Sequence, residues 1–308
     1  MNKFQRSWSL FKSSVSVIAR NKMLLVFPVV IFVCTSFIIL FFLAPPLLRP
    51  TGHPYLSADH WQAIYHSLFT ESPAHAGRSG SQVGFTPGAA GYLIFLYFVS
   101  MFLATFFNVA FYHEILAALS GQSVAIGRGL KFAGTKLGAI LMWTLFAGLV
   151  GLIIKTIEQR LELVGRIIAR FLGLAWSVAA VFAIPVIVRE ERGVNPLAML
   201  QKSAAILKRT WGEALIGYAG LTFANMLVVF GSLVVLGGAL AVSVVLSNFW
   251  ILVPVAVVWV AALFAWSYFT GIASQIYKCA LYLYAADGVV PHPYNQEMLD
   301  QAWKFKKS

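Results

Sequence analysis

Apolar positions along the chain alternate between two patterns. Long unbroken runs, about Leu24 to Leu43, Gly91 to Leu119, Leu137 to Ile154, Ile167 to Val188, Ala214 to Leu246 and Phe249 to Ala286, reach or exceed the roughly 20 residues needed to cross about 30 Å of hydrocarbon. Ahead of the first, third and fifth runs lies a shorter stretch in which apolar residues recur at helical spacing among basic ones. In Phe4 to Lys22 the seam is Phe4, Trp8, Phe11, Val15 and Ile18; in Ser123 to Leu137 it is Ile126, Leu130, Ala133 and Leu137. In Asn195 to Trp211 it is Leu197, Leu200, Ala204, Leu207 and Trp211, opened by Asn195 as N-cap and Pro196 at the first helical position. Such stretches are too polar to span a bilayer and suit its surface.

The pattern predicts an all-α polytopic membrane protein: six transmembrane helices in three hairpins, each hairpin preceded by an amphipathic, in-plane cytoplasmic elbow helix. The hairpins form a pseudo-threefold repeat with units 1–119, 120–190 and 191–286. Residues 1–286 make one membrane domain, 45–88 its long outer loop and 287–308 a cytoplasmic tail resting on the membrane surface. Within the loop, Ser57 to Phe69 reads as a short amphipathic helix with Trp61, Ile64, Leu68 and Phe69 towards the membrane, and Ser72 to Gly88 as a flexible linker. Gly138, Gly148 and Gly151 allow close helix approach; Gly231, Gly237 and Gly238 mark bends or helix ends.

Composition adds that no water-soluble domain is built this way: 59% of the 308 residues are hydrophobic and 11% charged, with a mean hydropathy of +0.79. Charge adds an orientation. The net charge is +12, and on the six-span topology all but six of the 23 Lys and Arg residues fall on one side. The exceptions are Arg49, Arg78, Lys155, Arg160, Arg166 and Arg170. The positive-inside rule then puts both termini in the cytoplasm. The basic elbows select anionic inner-leaflet headgroups as partner, through Lys12, Arg128, Lys131, Lys202, Lys208 and Arg209. No nucleic-acid-binding motif accompanies the charge. The first run reads as an uncleaved anchor, because its flank is long and Ala44 precedes Pro45 and Pro46. Cys34 and Cys279 show neither metal nor redox spacing.

Polar residues within the spans are the candidates for chemistry. Asn108, Tyr112, His113 and Glu114 cluster near the inner end of the second run, and Lys278 near that of the sixth. They are the candidate ligand-binding residues, and an ion pair between Glu114 and Lys278 is expected. Ser267, Gly271, Ser274 and Lys278 share one face, read as a tight packing seam. His53, His60, His66 and His75 in the outer loop fit no metal-ligand spacing and read as solvated. No metal, cofactor or catalytic residue is expected, for want of any hydrolase, zinc or nucleotide motif.

The stretches RSWSLFKSS, PVIVREERGVNPLAMLQKSAAILKRTWGEAL and YKCALYLYAADGVVPHPY together resemble a domain-of-unknown-function family of bacterial integral membrane proteins. That family is similar to the YciC-like proteins and to the membrane domain fused to glycerophosphodiester phosphodiesterase in some bacteria. The resemblance implies six helices and residence in the bacterial cytoplasmic membrane; it implies no catalytic residue. The expected function is non-enzymatic, either lipid interaction or partnership in a membrane protein assembly with another protein or a second copy. The alternative is a transporter or channel for a lipid or small apolar solute.

Overall fold

A computed structural model describes residues 3–72, 82–160, 163–190, 195–248, 250, 252–296 and 299. Among these the elements are α1 (Lys3–Arg20), α2 (Met23–Leu47), α3 (Ala58–Leu68), β1 (Phe69–Ser72), β2 (Gln82–Phe85), α4 (Pro87–Leu119), α5 (Ile126–Thr135), α6 (Leu137–Arg160), α7 (Leu163–Ala179), α8 (Ala183–Arg189), α9 (Pro196–Val245) and α10 (Leu252–Asp287). Six segments among the described residues are long and apolar enough to cross a membrane: α2, α4, α6, Gly165–Arg189 (α7 and α8 together), the Val228–Val245 part of α9, and α10. The protein is therefore a multi-pass membrane protein.

The buried core is gathered at one end of the bundle. Fully buried side chains include Leu24 and Phe27 of α2, Val109, Phe111 and Ile115 of α4, Ile140 of α6, Val186 and Ile187 of α8, Met199 of α9, and Ile276 and Tyr282 of α10. Towards the other end the same helices expose Phe32, Phe37 and Phe41, Leu149 and Ile153, Phe171 and Leu174, Val234 and Val245, and Val258 and Phe264. Helices that expose so many large apolar side chains there are matched to a hydrocarbon surround. The core end also holds Arg20, Arg128, Lys136, Arg189 and Lys202, which makes it the basic end of the bundle.

The three basic stretches are helical, and their buried stripes share only Ile18, Ala133 and Leu207 with the predicted apolar seams. In α1 the buried stripe is Leu10, Ser13, Ser14, Val17 and Ile18, while Trp8 is 45% exposed. In α5 it is Gly129 and Ala133, and Leu137 is exposed; in α9 it is Met199, Ser203, Ile206 and Leu207, and Leu197 is exposed. Each stripe is turned towards a small residue. Contact between elbow and span is made where backbones come close, and Ser or Gly permits that where a large side chain does not. The third elbow also differs in kind. α1 and α5 end in breaks at Asn21 and Lys136, but α9 runs unbroken for 50 residues, about 75 Å at the rise of an α-helix. It continues through Gly231, Gly237 and Gly238, which mark no helix end.

Small residues in the spans divide similarly. A side chain at Gly148 would strike Phe98 of α4, and one at Gly151 would meet the Tyr97 hydroxyl, so both serve the α4–α6 contact. Gly138 and Gly271 face open space, so neither belongs to a tight seam. In the loop, Gln82 to Phe85 pairs antiparallel with Phe69 to Ser72, Phe69 opposite Phe85, which replaces part of the predicted linker by a β-ribbon. Residues 73–81, with His75, lie outside the described residues. His60 is not solvated: it is wholly buried between Tyr55 and Trp61 and bonded through Nδ1 to Thr51 Oγ1 at 2.6 Å. Ile64 is buried too, and Trp61 half-exposed.

The fourth span is interrupted. Pro185 lacks the N–H that would bond the carbonyl of Val181 and clashes with that position, and the helix breaks over residues 180–182, between α7 and α8. The freed groups are recovered from a neighbour. The buried Ser203 of α9 donates from its hydroxyl to the Ala179 carbonyl at 2.6 Å and accepts from the Phe182 N–H at 3.0 Å, as a break at membrane depth requires. Ser203→Ala is expected to destabilise the protein by about 1 kcal/mol, the net loss for an unsatisfied buried amide with partial relaxation. Denaturant titration in detergent measures this, and an unchanged midpoint would show that the break needs no such support.

Candidate functional site at the basic end of the bundle

α4 ends in a Gly121 turn, φ +81°, with the Gln122 N–H returning to the Ala117 carbonyl at 2.9 Å. That reversal lays α5 back against α4. At the crossing Gly129 sits so close that an added Cβ would lie 2.8 Å from the Ala110 carbonyl oxygen. The contact brings Arg128 onto the Glu114 carboxylate in a two-point pair, Nε to Oε1 at 2.9 Å and Nη2 to Oε2 at 2.7 Å. Oε2 also accepts the Ala125 N–H at 2.8 Å, and Oε1 accepts from His113 Nδ1 at 3.0 Å. Ala125 is the N-cap of α5 and has no capping side chain of its own. Glu114 accepts the N–H of the N-cap residue from another helix, as the acid of a capping box does from its own, with its charge at the positive end of the α5 dipole. The His113 ring lies flat on Phe132, centroids 4.0 Å apart. Glu114 is 0% exposed and Arg128 38%. The carboxylate holds the Arg128 guanidinium pKa above its ordinary value.

Two further acids end spans in the same way. Glu190, at the end of α8, takes Lys202 of α9 on its carboxylate and Lys136 on its backbone carbonyl, and Asp287, at the end of α10, takes Arg189. Together these contacts tie α5, α6, α8, α9 and α10 at one level. The segment after α10 completes the ring. Tyr294 is buried, 2.8 Å from Ser14 Oγ on α1, and burial pushes its hydroxyl above the ordinary tyrosine range, so it stays a neutral partner. The first part of the predicted surface tail is thus held on α1 through His292 and Tyr294, while its later lysines, Lys304, Lys306 and Lys307, lie outside the described residues.

Between the docked segment, the end of α1 and the turn after α4 opens a cleft of about 400 Å³. Its floor is Val17, Ala118 and Leu119, and its walls carry Arg20, Asn21, Gln122, Ser123 and His292. Arg20 Nη1 donates to His292 Nδ1 at 3.0 Å.

The sequence candidates are therefore divided. His113 and Glu114 meet at one site, and their partner is Arg128; the expected Glu114–Lys278 pair does not form, since Arg128 occupies both carboxylate oxygens. Lys278 is part-buried on α10, Tyr112 is buried, and Asn108 bonds the Ala104 carbonyl of its own helix. Of the expected headgroup residues, Arg128 and Lys202 are engaged by acids, whereas Lys12, Lys131 and Lys208 are exposed. The Arg209 side chain lies outside the described residues. Among the described residues no group of three His, Cys, Asp or Glu gathers as metal ligands do. Sequence reasoning missed Ser203, Tyr294 and the Arg20–His292 cleft. Only Ser203 left a signal, since Pro185 announces a break that something must cap.

Residues 89–291 match a family described as a family of unknown function, DUF6159. The chain belongs to it. The DUF6159 segment runs from the first turn of α4 to Pro291 and takes in Glu114, Arg128 and Ser203, while α1, α2, Arg20 and His292 lie beyond it. Comparison with curated proteins and with solved structures finds no match.

Proposed function

We propose that the protein is a non-enzymatic component of the bacterial cytoplasmic membrane, both termini inside, whose basic end engages anionic inner-leaflet lipid. The observation that carries this is the exposure of Lys12, Lys131 and Lys208 on the three elbow stretches, while neighbouring bases are spent on internal acids. Trp8, half-exposed with the Lys12 ammonium 5.9 Å from its ring centroid, has the amphipathic character of an interfacial anchor. α1 and α5 then lie along the surface, with their small-residue faces on the bundle. The kinship with YciC-like proteins and the phosphodiesterase-fused membrane domain is part of the same proposal, without their chemistry.

The test is reconstitution of the full chain in nanodiscs of mixed phosphatidylglycerol and phosphatidylcholine. Enrichment of the anionic lipid around the protein is expected. Lys12, Lys131 and Lys208 changed together to Gln are expected to lower the binding free energy by about 3 kcal/mol, at about 1 kcal/mol per basic residue near an anionic surface. Equal enrichment in wild type and triple variant would overturn the electrostatic reading. A second reading, passage of a lipid or small apolar solute, is favoured by the interrupted fourth span, since discontinuous helices are a feature of transporters. Solute flux in proteoliposomes decides for it.

A further inference from the structure

The cleft at the end of α1 differs electrostatically from the rest of the basic end. Arg128, Lys202 and Arg189 each face an acid. Arg20 instead takes a neutral imidazole, and among the described residues no Asp or Glu lines the cleft. Because a guanidinium only donates, His292 Nδ1 must accept, which leaves the ring hydrogen on Nε2 as a second donor. The C-terminal ends of α1 and α4 border the cleft and set their negative dipole ends against an anion. The Arg20 charge has to outweigh them, though several of their last carbonyls are already engaged. The Val17 and Ile18 carbonyls are taken by the Asn21 N–H, and the Leu116, Ala117 and Ala118 carbonyls by the N–H groups of residues 120–122. What remains is a cation facing no acid, amide and hydroxyl groups on Gln122 and Ser123, and an apolar floor. The cleft opens where Arg20 and Lys22 lead into the first apolar span.

We infer that this cleft binds one phosphodiester group, that of an anionic phospholipid whose headgroup carries hydroxyls, with the phosphate on Arg20 and His292 and the hydroxyls on Gln122 and Ser123. The about 400 Å³ available is within the range of small-ligand sites. The docked segment supplies one wall, so the site exists only with Tyr294 seated on Ser14. The assignment deepens the proposed lipid role and rests on it for the source of the phosphate. It adds a single stoichiometric site to a diffuse surface attraction.

Native mass spectrometry of the full chain tests it, with phosphatidylglycerol, phosphatidylcholine, sn-glycerol 3-phosphate and inorganic phosphate as separate probes. One phosphatidylglycerol is expected to survive detergent exchange, with phosphatidylcholine washed away. Arg20→Gln, which removes a charge-assisted contact, is expected to weaken its retention about tenfold. Gln122→Trp, at an exposed turn position, is expected to do the same by filling the cleft. The Lys12, Lys131 and Lys208 triple variant is expected to keep the single lipid while losing bulk enrichment. Helix content by circular dichroism shows that each variant is folded. Retention unchanged in both cleft variants would overturn the site and leave the diffuse attraction standing. Bulk enrichment in nanodiscs that is the same in wild type and triple variant, with the single lipid kept, would sink the diffuse attraction and not the site. Saturation by either soluble phosphate, with no lipid retained, would overturn the phospholipid assignment.

Discussion

Arg128→Ala is expected to destabilise the protein by about 3 kcal/mol, a large effect for a side chain that reaches the surface. The reason lies with its partner. Glu114 is wholly buried, and without Arg128 its carboxylate keeps the Ala125 N–H and His113 alone. Breaking a buried pair from one side leaves an uncompensated charge and typically costs about 3 to 5 kcal/mol; the low end applies because Arg128 itself is 38% exposed and water can partly replace it. Arg128→Lys keeps the charge but loses the two-point geometry, so it falls between. Adding Glu114→Gln to Arg128→Ala recovers part of the loss, because the buried group is then neutral. Denaturant or thermal unfolding in detergent measures all four proteins. If Arg128→Ala unfolds with wild type, the guanidinium belongs to lipid headgroups, as the sequence suggested, and the Glu114 contact is incidental.

Gly129→Ala is expected to cost about 2 kcal/mol, although alanine ordinarily favours a helix over glycine. The added carbon would lie 2.8 Å from the Ala110 carbonyl oxygen, 2.9 Å from Glu114 Cγ and 3.2 Å from Phe27 Cζ. A backbone oxygen in the middle of α4 cannot step aside, so α5 must move off and stretch the Arg128–Glu114 pair with it. Gly134→Ala, on the same helix but facing open space, is the control. It is expected to be neutral or to stabilise by up to about 1 kcal/mol through helix propensity. The sign difference between two identical substitutions, read by the same unfolding titration, isolates the close approach. Equal effects would mean that α5 does not rest on α4 at Gly129.

Much of the architecture was legible because lipid imposes a strong and local rule. Runs of about 20 apolar residues announce spans wherever they occur, and the breaks at Asn21 and Lys136 fall where basic amphipathic stretches meet such runs. Pro185, near the end of the fourth run, likewise marks a weak last turn by its own backbone chemistry. The protein-facing stripes of the basic helices were legible only in part, through Ile18, Ala133 and Leu207, for an equally specific reason. A pattern search rewards large apolar side chains such as Trp8, Leu137 and Leu197, which against hydrocarbon are indifferent to facing protein or lipid. The contact is chosen instead by Ser14, Gly129 and Ser203, which composition treats as weak signals.

The pairing of charges was beyond the sequence altogether. Glu114 had two bases to choose between, Arg128 fourteen residues on and Lys278 in the last span, and hydropathy ranks neither. The choice follows from the Gly121 turn and the Gly129 contact, which fold α5 back until both carboxylate oxygens are filled. The cleft is still less local, since it is assembled from residues 17–21, 118–123 and 292–293 and exists because Tyr294 is buried on Ser14. What the sequence alone determined was how often the chain enters the membrane and where its charge collects, because transfer between water and lipid is decided residue by residue. Which base meets which acid, which helix face is buried and where a cavity remains were decided by the tertiary structure, because each depends on side chains that come together only when distant helices are packed.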